Sequence, residues 1–497
     1  MSTDLDARTG LGRRFWPLLA LTLSLAAPAL AADKTTRHSL TLPDGPLAFS
    51  AMVETQKLAA PDGKTVAEIV TTAFTGDGAG RPVTFAFNGG PGAASAYLDM
   101  AAIGPWRVPI VLPITPSQDP APVDNAETWL AFTDLVFIDP PGTGYSRWTG
   151  DGPDAGKPFL TVDGDIRTLA TIARRWLEAH DRLGSRVFLA GESYGGFRAP
   201  LLARALLEQQ GVGVAGIVMI SPVLDFNGRD SAYDPIRRAV QLPSVAAAYA
   251  GARSRAENAA AEAYAAGPYI ADLLAGPDDG AAQDRIARTL APLTGLDPAL
   301  IRRRAGRLDW GDMLRNRHPG SVATPYDARL EARDPFPAAP TDHSPDPILD
   351  GLKGPLTSAM LALYHGRLQW QPDGAPNRQY TLLSEELNGQ WDYGRSNNRP
   401  ESMTALRQYL ALDPAARALV VHGLYDLVTP YFADALLLAQ VPASAAGGRL
   451  ALKVYAGGHM FYLDEASRRA LMQDARALVI GATAAAPDPP PPASTPR

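Results

Sequence analysis

Six short runs of almost unbroken apolar residues constrain this chain more than any other feature. They are residues 83–88 (VTFAFN), 135–139 (LVFID), 186–191 (RVFLAG), 216–221 (GIVMIS), 418–423 (ALVVHG) and 450–456 (LALKVYA). A strand that is apolar on consecutive positions has no face to give to water, so runs of this length suit a parallel sheet covered on both sides. Longer amphipathic segments alternate with them. Over 163–183, Ile166, Leu169, Ile172, Ala173, Trp176 and Leu177 fall on one helical stripe, and 197–210 and 463–479 also read as helices. Strand–helix–strand repetition predicts an α/β fold: a mostly parallel central sheet with helices on both faces. Residues 39–74 alternate like strands and are expected to add antiparallel edge strands.

The rhythm breaks after Pro222. Residues 227–380 are rich in Ala, Arg, Asp and Pro and poor in strand-like runs, which predicts a mainly helical insertion capping the carboxyl edge of the sheet. A separate domain or a linker is the alternative; Tyr249, Tyr264, Tyr269, Trp310 and Trp370 speak against a linker. The expected organisation is a core in two parts, 33–226 and 381–486, interrupted by the cap at 227–380. At the amino end, Arg13 and Arg14 precede an apolar run from Phe15 to about Ala27 and the small-residue site Ala29-Leu30-Ala31. That pattern predicts a signal peptide over 1–31 and export to the periplasm or outside. The run is too short for a comfortable membrane span, so no span is expected once the signal is cleaved. Residues 487–497 (PDPPPPASTPR) form a Pro-rich tail with no means of packing.

Composition removes several classes of function. The formal charge is -6, which offers no basic field for nucleic acid. There is no cysteine among the 497 residues, so disulfides, thiol nucleophiles and cysteine-bound metals are excluded.

Gly191-Glu192-Ser193-Tyr194-Gly195 fits G-x-S-x-G between an expected strand and an expected helix, the setting that exposes a nucleophilic serine on a sharp turn. A serine hydroxyl needs a base, and in this kind of fold the acid and the histidine follow on later strands. Asp426 after 418–423 and His459 after 450–456 satisfy that order. His422 precedes the acid, Asp464 sits in the following helix, and His318, His343 and His365 fall in the insertion, so each is a weaker candidate. Asn88-Gly89-Gly90-Pro91-Gly92 ends the first apolar run. It could be only a tight loop, but with the serine turn present the Gly90 amide is expected to join the Tyr194 amide as an oxyanion hole. Glu192 places a carboxyl group beside the nucleophile, where a charge would repel developing negative charge. It makes chemical sense if Glu192 works protonated, sharing hydrogen bonds with Asn88 and a substrate carboxylate, which predicts an acidic optimum; a carboxylate that merely pairs locally is the alternative.

Together the stretches 87–95 (FNGGPGAAS), 103–108 (IGPWRV), 125–146 (NAETWLAFTDLVFIDPPGTGYS), 191–196 (GESYGG), 422–430 (HGLYDLVTP) and 457–460 (GGHM) resemble, in order, the serine carboxypeptidase family of α/β-hydrolases. The resemblance implies Ser193 as nucleophile with Asp426 and His459 as partners. It implies Gly90 and Tyr194 amides as oxyanion donors, and Asn88 and Glu192, with Gly89 contributing, as binders of a peptide's terminal carboxylate. It implies no metal or organic cofactor. The chain departs from the family at Ala86, where a Trp is common, and at Ala102, where a Glu is common; both usually extend carboxylate recognition. Ala93 stands where a cysteine is common. Gly196-Phe197-Arg198 replaces a usual Ala-His-Tyr, and Arg198 is expected to bring extra positive charge near the site. An esterase or acyltransferase on the same residues is the main alternative, and a non-catalytic binding protein a third.

Overall fold

The computed structural model describes residues 34–484 apart from 119–120, 151, 153, 228–233, 309–313, 316–317, 340–345, 375–377 and 395–399. The expected signal peptide and Pro-rich tail, with Trp310 and His343, lie outside the described residues. Nine strands carry the main sheet: β1 (Lys34–Leu42), β2 (Gly45–Ala59), β3 (Thr65–Gly76), β4 (Val83–Phe87), β5 (Asp134–Ile138), β6 (Val187–Glu192), β7 (Val214–Ile220), β8 (Arg417–Gly423) and β9 (Leu450–Tyr455). Their spatial order is β1-β2-β3-β5-β4-β6-β7-β8-β9, and the two-residue strand Arg147–Trp148 pairs with β3.

The pairing follows from the connections. β1, β2 and β3 are antiparallel neighbours, and β3 pairs antiparallel with β5. Short turns can join antiparallel strands, whereas parallel neighbours need a crossover. From β5 across to β9 every pairing is parallel. Alternate residues feed opposite cores. Phe85, Phe87, Leu189, Met219 and Val420 pack with Leu169, Ile172 and Trp176 of the helix Val162–Ala179 on one face. Ala86, Ala190, Val218, Ile220 and Val421 pack with Leu471, Ala475 and Val479 of the helix Glu465–Ala484 on the other. The unbroken apolar runs are the consequence. The helix Val162–Ala179 buries the expected stripe and begins on a Thr161 side chain that accepts from the Gly164 amide.

From β4 the chain moves to β5 on one side and later returns to β6 on the other. Such a reversal opens a crevice at the carboxyl ends of the strands, where ligands of open α/β sheets bind. Asn88 leaves β4 and Glu192-Ser193 leave β6 at this point.

Between β7 and β8 the helices Pro235–Ala250, Ala259–Ala266, Pro268–Ala275, Gly280–Thr294 and Pro298–Arg303 build a core of their own. Leu242, Tyr269 and Leu290 meet Leu424, Tyr425, Tyr431 and Phe432 just beyond β8. An antiparallel hairpin, Ser321–Thr324 with Asp327–Arg333, was not expected from the sequence. Its strands are short and partly exposed, so they carry charges where a buried strand would be apolar. Farther on, Leu352, Leu356, Tyr364, Trp370 and Tyr380 pack into the same core as the sheet.

Candidate active site

Ser193 sits at φ 59°, ψ −121°, between β6 and the helix Tyr194–Gln210. A non-glycine residue there costs on the order of 1–3 kcal/mol and persists only when its surroundings enforce it. The Ser193 amide donates to Ile220 O at 2.8 Å, and the amides of Gly196 and Phe197 donate back to Ser193 O. The neighbouring glycines are required sterically. A Cβ on Gly195 would lie 2.6 Å from Phe87 O, one on Gly89 would lie 2.5 Å from Tyr194 N, and one on Gly191 would collide with Gly195 O. The loop after β4 therefore lies directly on the serine turn. Gly90, in a left-handed conformation at φ 97°, adjoins Gly89 in that loop. Tyr194 opens its helix, where amides have no partner within the helix.

Asp426 follows β8 and is fully buried. Its Oδ1 accepts from the Val428 amide at 2.7 Å and the Thr429 amide at 3.0 Å. Its Oδ2 lies 2.7 Å from His459 Nδ1 and accepts from Thr429 Oγ1 at 2.7 Å. Burial opposes the charge on Asp426, but His459 and the hydrogen bonds from His459 and Thr429 outweigh it and hold the carboxyl below its ordinary range. His459 is itself buried and fixed through its backbone. Its amide donates to Tyr326 O at 2.6 Å, its carbonyl accepts from Ser221 Oγ at 2.7 Å, and the Tyr326 ring meets the imidazole edge-on at 5.5 Å. The other candidates are engaged elsewhere. His422 pairs with Asp434 at 3.0 Å, Asp464 Oδ1 accepts from the Ser467 amide at 3.0 Å in the first turn of the last helix, and His318 pairs with Glu331 at 2.7 Å. His365 lies in the turn Leu363–Arg367.

Glu192 is buried with both oxygens bonded. Asn88 Nδ2 donates to Oε2, and Tyr462 OH donates to Oε1 at 2.8 Å. Burial pushes the Glu192 carboxyl up to about 7, against the opposing pull of His459, Tyr462 and Asn88. Asn88 is oriented in turn, since its Oδ1 accepts from the Leu98 amide at 3.0 Å. Arg198 corrects an expectation. It is 1% exposed, clamps Asp165 at 2.7 and 3.2 Å, and donates to Asn88 O at 2.6 Å. Its charge is neutralised inside the protein, so it braces the Asn88 loop and adds no positive field to the crevice. Ala86 and Ala102 are buried.

Sequence reasoning missed Tyr462, Tyr326, Ser221 and Thr429. Only Thr429 left a readable trace, as a hydroxyl three residues after an acid, which often closes a local side-chain–backbone turn.

Residues 72–243 match the family model described as serine carboxypeptidase. That segment is similar to the serine carboxypeptidase family. It contains Asn88, Gly89, Gly90, Glu192, Ser193 and Tyr194; Asp426 and His459 lie outside it. A carboxypeptidase Y homolog of Arthroderma benhamiae is 32% identical over 146 residues, 28% of this chain and 26% of its own length. Serine carboxypeptidase-like 28 of Arabidopsis thaliana is 33% identical over 157 residues, 29% of this chain and 31% of its own length. The chain thus spans less than a third of the length of these curated relatives. A solved prohormone-processing carboxypeptidase of Saccharomyces cerevisiae aligns over 88% of this chain and 91% of its own, with a TM-score of 0.53 and 15% identity. The chain has the α/β-hydrolase fold.

Proposed function

We propose that the protein is a serine-type carboxypeptidase. The observation that supports it is a buried Asp426–His459 pair, linked to the Ser193 turn through Ile220 and Ser221, together with a buried, high-pKa Glu192 held by Asn88 next to Ser193. In this reading His459 Nε2 takes the Ser193 hydroxyl proton as Oγ bonds to the carbonyl carbon of the last peptide bond. Asp426 fixes the Nδ1–H tautomer and stabilises the imidazolium. The amides of Gly90 and Tyr194 receive the oxyanion. When the C–N bond breaks, the imidazolium proton goes to the departing amino group. Water then repeats the sequence on the acyl-enzyme and frees Ser193.

Asn88, Gly89 and Glu192 bind the substrate's terminal carboxylate. Glu192 can donate to that carboxylate only while protonated. Because its carboxyl is raised to about 7, the protonated form prevails below that pH and is lost above it, which supports a preference for acidic conditions. The test compares a blocked dipeptide bearing a free C-terminal carboxylate with its amide. The free acid should be preferred in the wild type and that preference should collapse in Glu192→Gln; equal rates on both wild-type substrates would refute the exopeptidase reading.

A second reading, an esterase or an acyltransferase with an alcohol acceptor, is favoured by Ala86 and Ala102, which add no polar group to carboxylate recognition. Product analysis with added acceptor alcohol separates transfer from hydrolysis. Fluorophosphonate labelling of Ser193 addresses the reading as a non-catalytic binding protein. We read the helices over 235–303 as part of a cap spanning 227–380 that selects peptide substrates, and the amino-terminal pattern as a signal for export to the periplasm or beyond. Among the described residues no helix is long and apolar enough to cross a membrane.

A further inference from the structure

Glu192 needs a fixed orientation to present a proton to a substrate, and one amide cannot give it one. Asn88 holds Oε2; Oε1 is held by Tyr462, three residues after His459. We propose that Tyr462 is a positioning residue for carboxylate recognition, its phenol aiming Glu192 at the substrate's terminal carboxylate. This inference rests on the carboxypeptidase reading above and deepens it.

The phenol is built into place. Tyr462 is fully buried in the short turn Phe461–Leu463. Its carbonyl accepts from Arg468 Nη1 at 2.9 Å, and Arg468 is paired with Glu127 at 3.1 Å, all within the protein. One segment, 459–462, therefore carries both the imidazole and the second donor to Glu192. No polar side chain enters from positions 86 or 102, since both are alanine. The titratable groups that face Glu192 electrostatically are His459, Asp426, Tyr462, Tyr97 and Tyr326. Burial pushes the phenols of Tyr97, Tyr326 and Tyr462 up, so they stay neutral wherever Glu192 titrates. Of the three, Tyr462 is the one that bonds to Glu192.

A donor to a carboxylate favours its charged form. Tyr462 thus holds Glu192 in position and also lowers the pH above which Glu192 loses its proton. Removing the hydroxyl should let Glu192 keep that proton to higher pH while leaving it less well aimed.

The experiment measures kcat and KM from pH 4 to 9 for Tyr462→Phe, on a blocked dipeptide and on its C-terminal amide. On the free acid, the alkaline limb of kcat/KM should move up by on the order of one pH unit, a tenfold change in proton affinity. KM at pH 5 should rise several-fold while kcat holds. On the amide neither should change. Incorporating 3-fluorotyrosine at position 462 makes the phenol a stronger donor without loss of volume and should move the limb down. An unchanged limb on the free acid overturns the inference, as does an equal shift on the amide, which would place the effect on His459. Labelling of Ser193 by a fluorophosphonate at the wild-type rate verifies the fold in each variant; should Tyr462→Phe fail it, the fluorotyrosine protein decides alone. If the wild type shows no preference for the free acid over the amide, the carboxypeptidase reading falls; if Glu192→Gln keeps that preference, Glu192 is not the group that reads the carboxylate. If that preference collapses but Tyr462→Phe changes nothing, only the role of Tyr462 falls.

Discussion

Replacing Gly89 by alanine tests whether the loop after β4 and the serine turn form one rigid unit. The added Cβ would lie 2.5 Å from Tyr194 N and 2.7 Å from both Glu192 O and Gly195 N. These fall short of ordinary van der Waals contact by about 0.7–0.9 Å, and interiors are packed too densely to absorb that. All three atoms are backbone, so no side chain can swing aside. Relief comes only if the loop withdraws from the turn, which separates the Gly90 and Tyr194 amides, the proposed oxyanion donors. Displacing an oxyanion donor costs roughly 10²–10³ in kcat, and overpacking costs about 1–3 kcal/mol of stability. Gly89→Ala should therefore lower kcat on an activated ester by about two orders of magnitude and lower the unfolding midpoint by a few degrees. Gly184→Ala is the control, because a Cβ there meets nothing within 4 Å. Wild-type kcat in Gly89→Ala, with the midpoint unmoved, would refute the steric coupling and the oxyanion assignment together.

Arg198→Leu strands Asp165 in the core, and breaking a buried pair in this way costs about 3–5 kcal/mol; chemical denaturation should show that loss, and a change below about 1 kcal/mol would mean that Asp165 finds another partner. Asp139 is raised to about 6 by burial, although the Ser95 amide favours its charge. A carboxyl raised in the folded state contributes stability at low pH and loses it as pH climbs through that value, here on the order of 3 kcal/mol between about pH 4 and 7. Denaturant unfolding across that range should be flatter in Asp139→Asn, and equal slopes in the two proteins would contradict the shift.

The sheet was legible because five of its six parallel strands are buried on both faces; β9, read from the sequence as a buried strand, is the sheet's edge and no residue of it is buried. Residues 83–88 differ from the observed β4 (Val83–Phe87) by one residue, and the stripe from Ile166 to Leu177 is buried as its spacing predicts. The helix read as starting at Phe197 begins at Tyr194. Gly195 and Gly196 have poor helix propensity, which masks that first turn, but contact with Phe87 and Pro222 leaves no room for a side chain at either position. The Arg198 misreading has a similar origin. Its partner Asp165 looks like an acid in the first turn of a helix, and nothing local shows that the chain folds it against a residue 33 positions later. Tyr462 is hidden more deeply, because its bond to Glu192 spans 270 positions and an aromatic residue after a strand is ordinarily core.

A chain without cysteine must hold three distant loops in register by packing and hydrogen bonds alone, and Ser221 shows how. It follows β7 at φ 44°, strained for a side chain and fully buried. Its amide donates to Val421 O at 2.7 Å, which ties it to β8. Its hydroxyl donates to His459 O at 2.7 Å, and its carbonyl lies 3.0 Å from Thr429 Oγ1, whose proton goes to Asp426. The preceding residue, Ile220, accepts from the Ser193 amide at 2.8 Å. The serine turn, the acid loop and the histidine loop thus meet at one dipeptide that takes no part in the chemistry. Local strain persists only where surrounding structure over-determines it, and the two left-handed serines, 193 and 221, lie at opposite ends of this short set of bonds. The strain at Ser193 is therefore held by the same contacts that hold the acid and the imidazole, which makes the site a product of the sheet's order and not of any one loop.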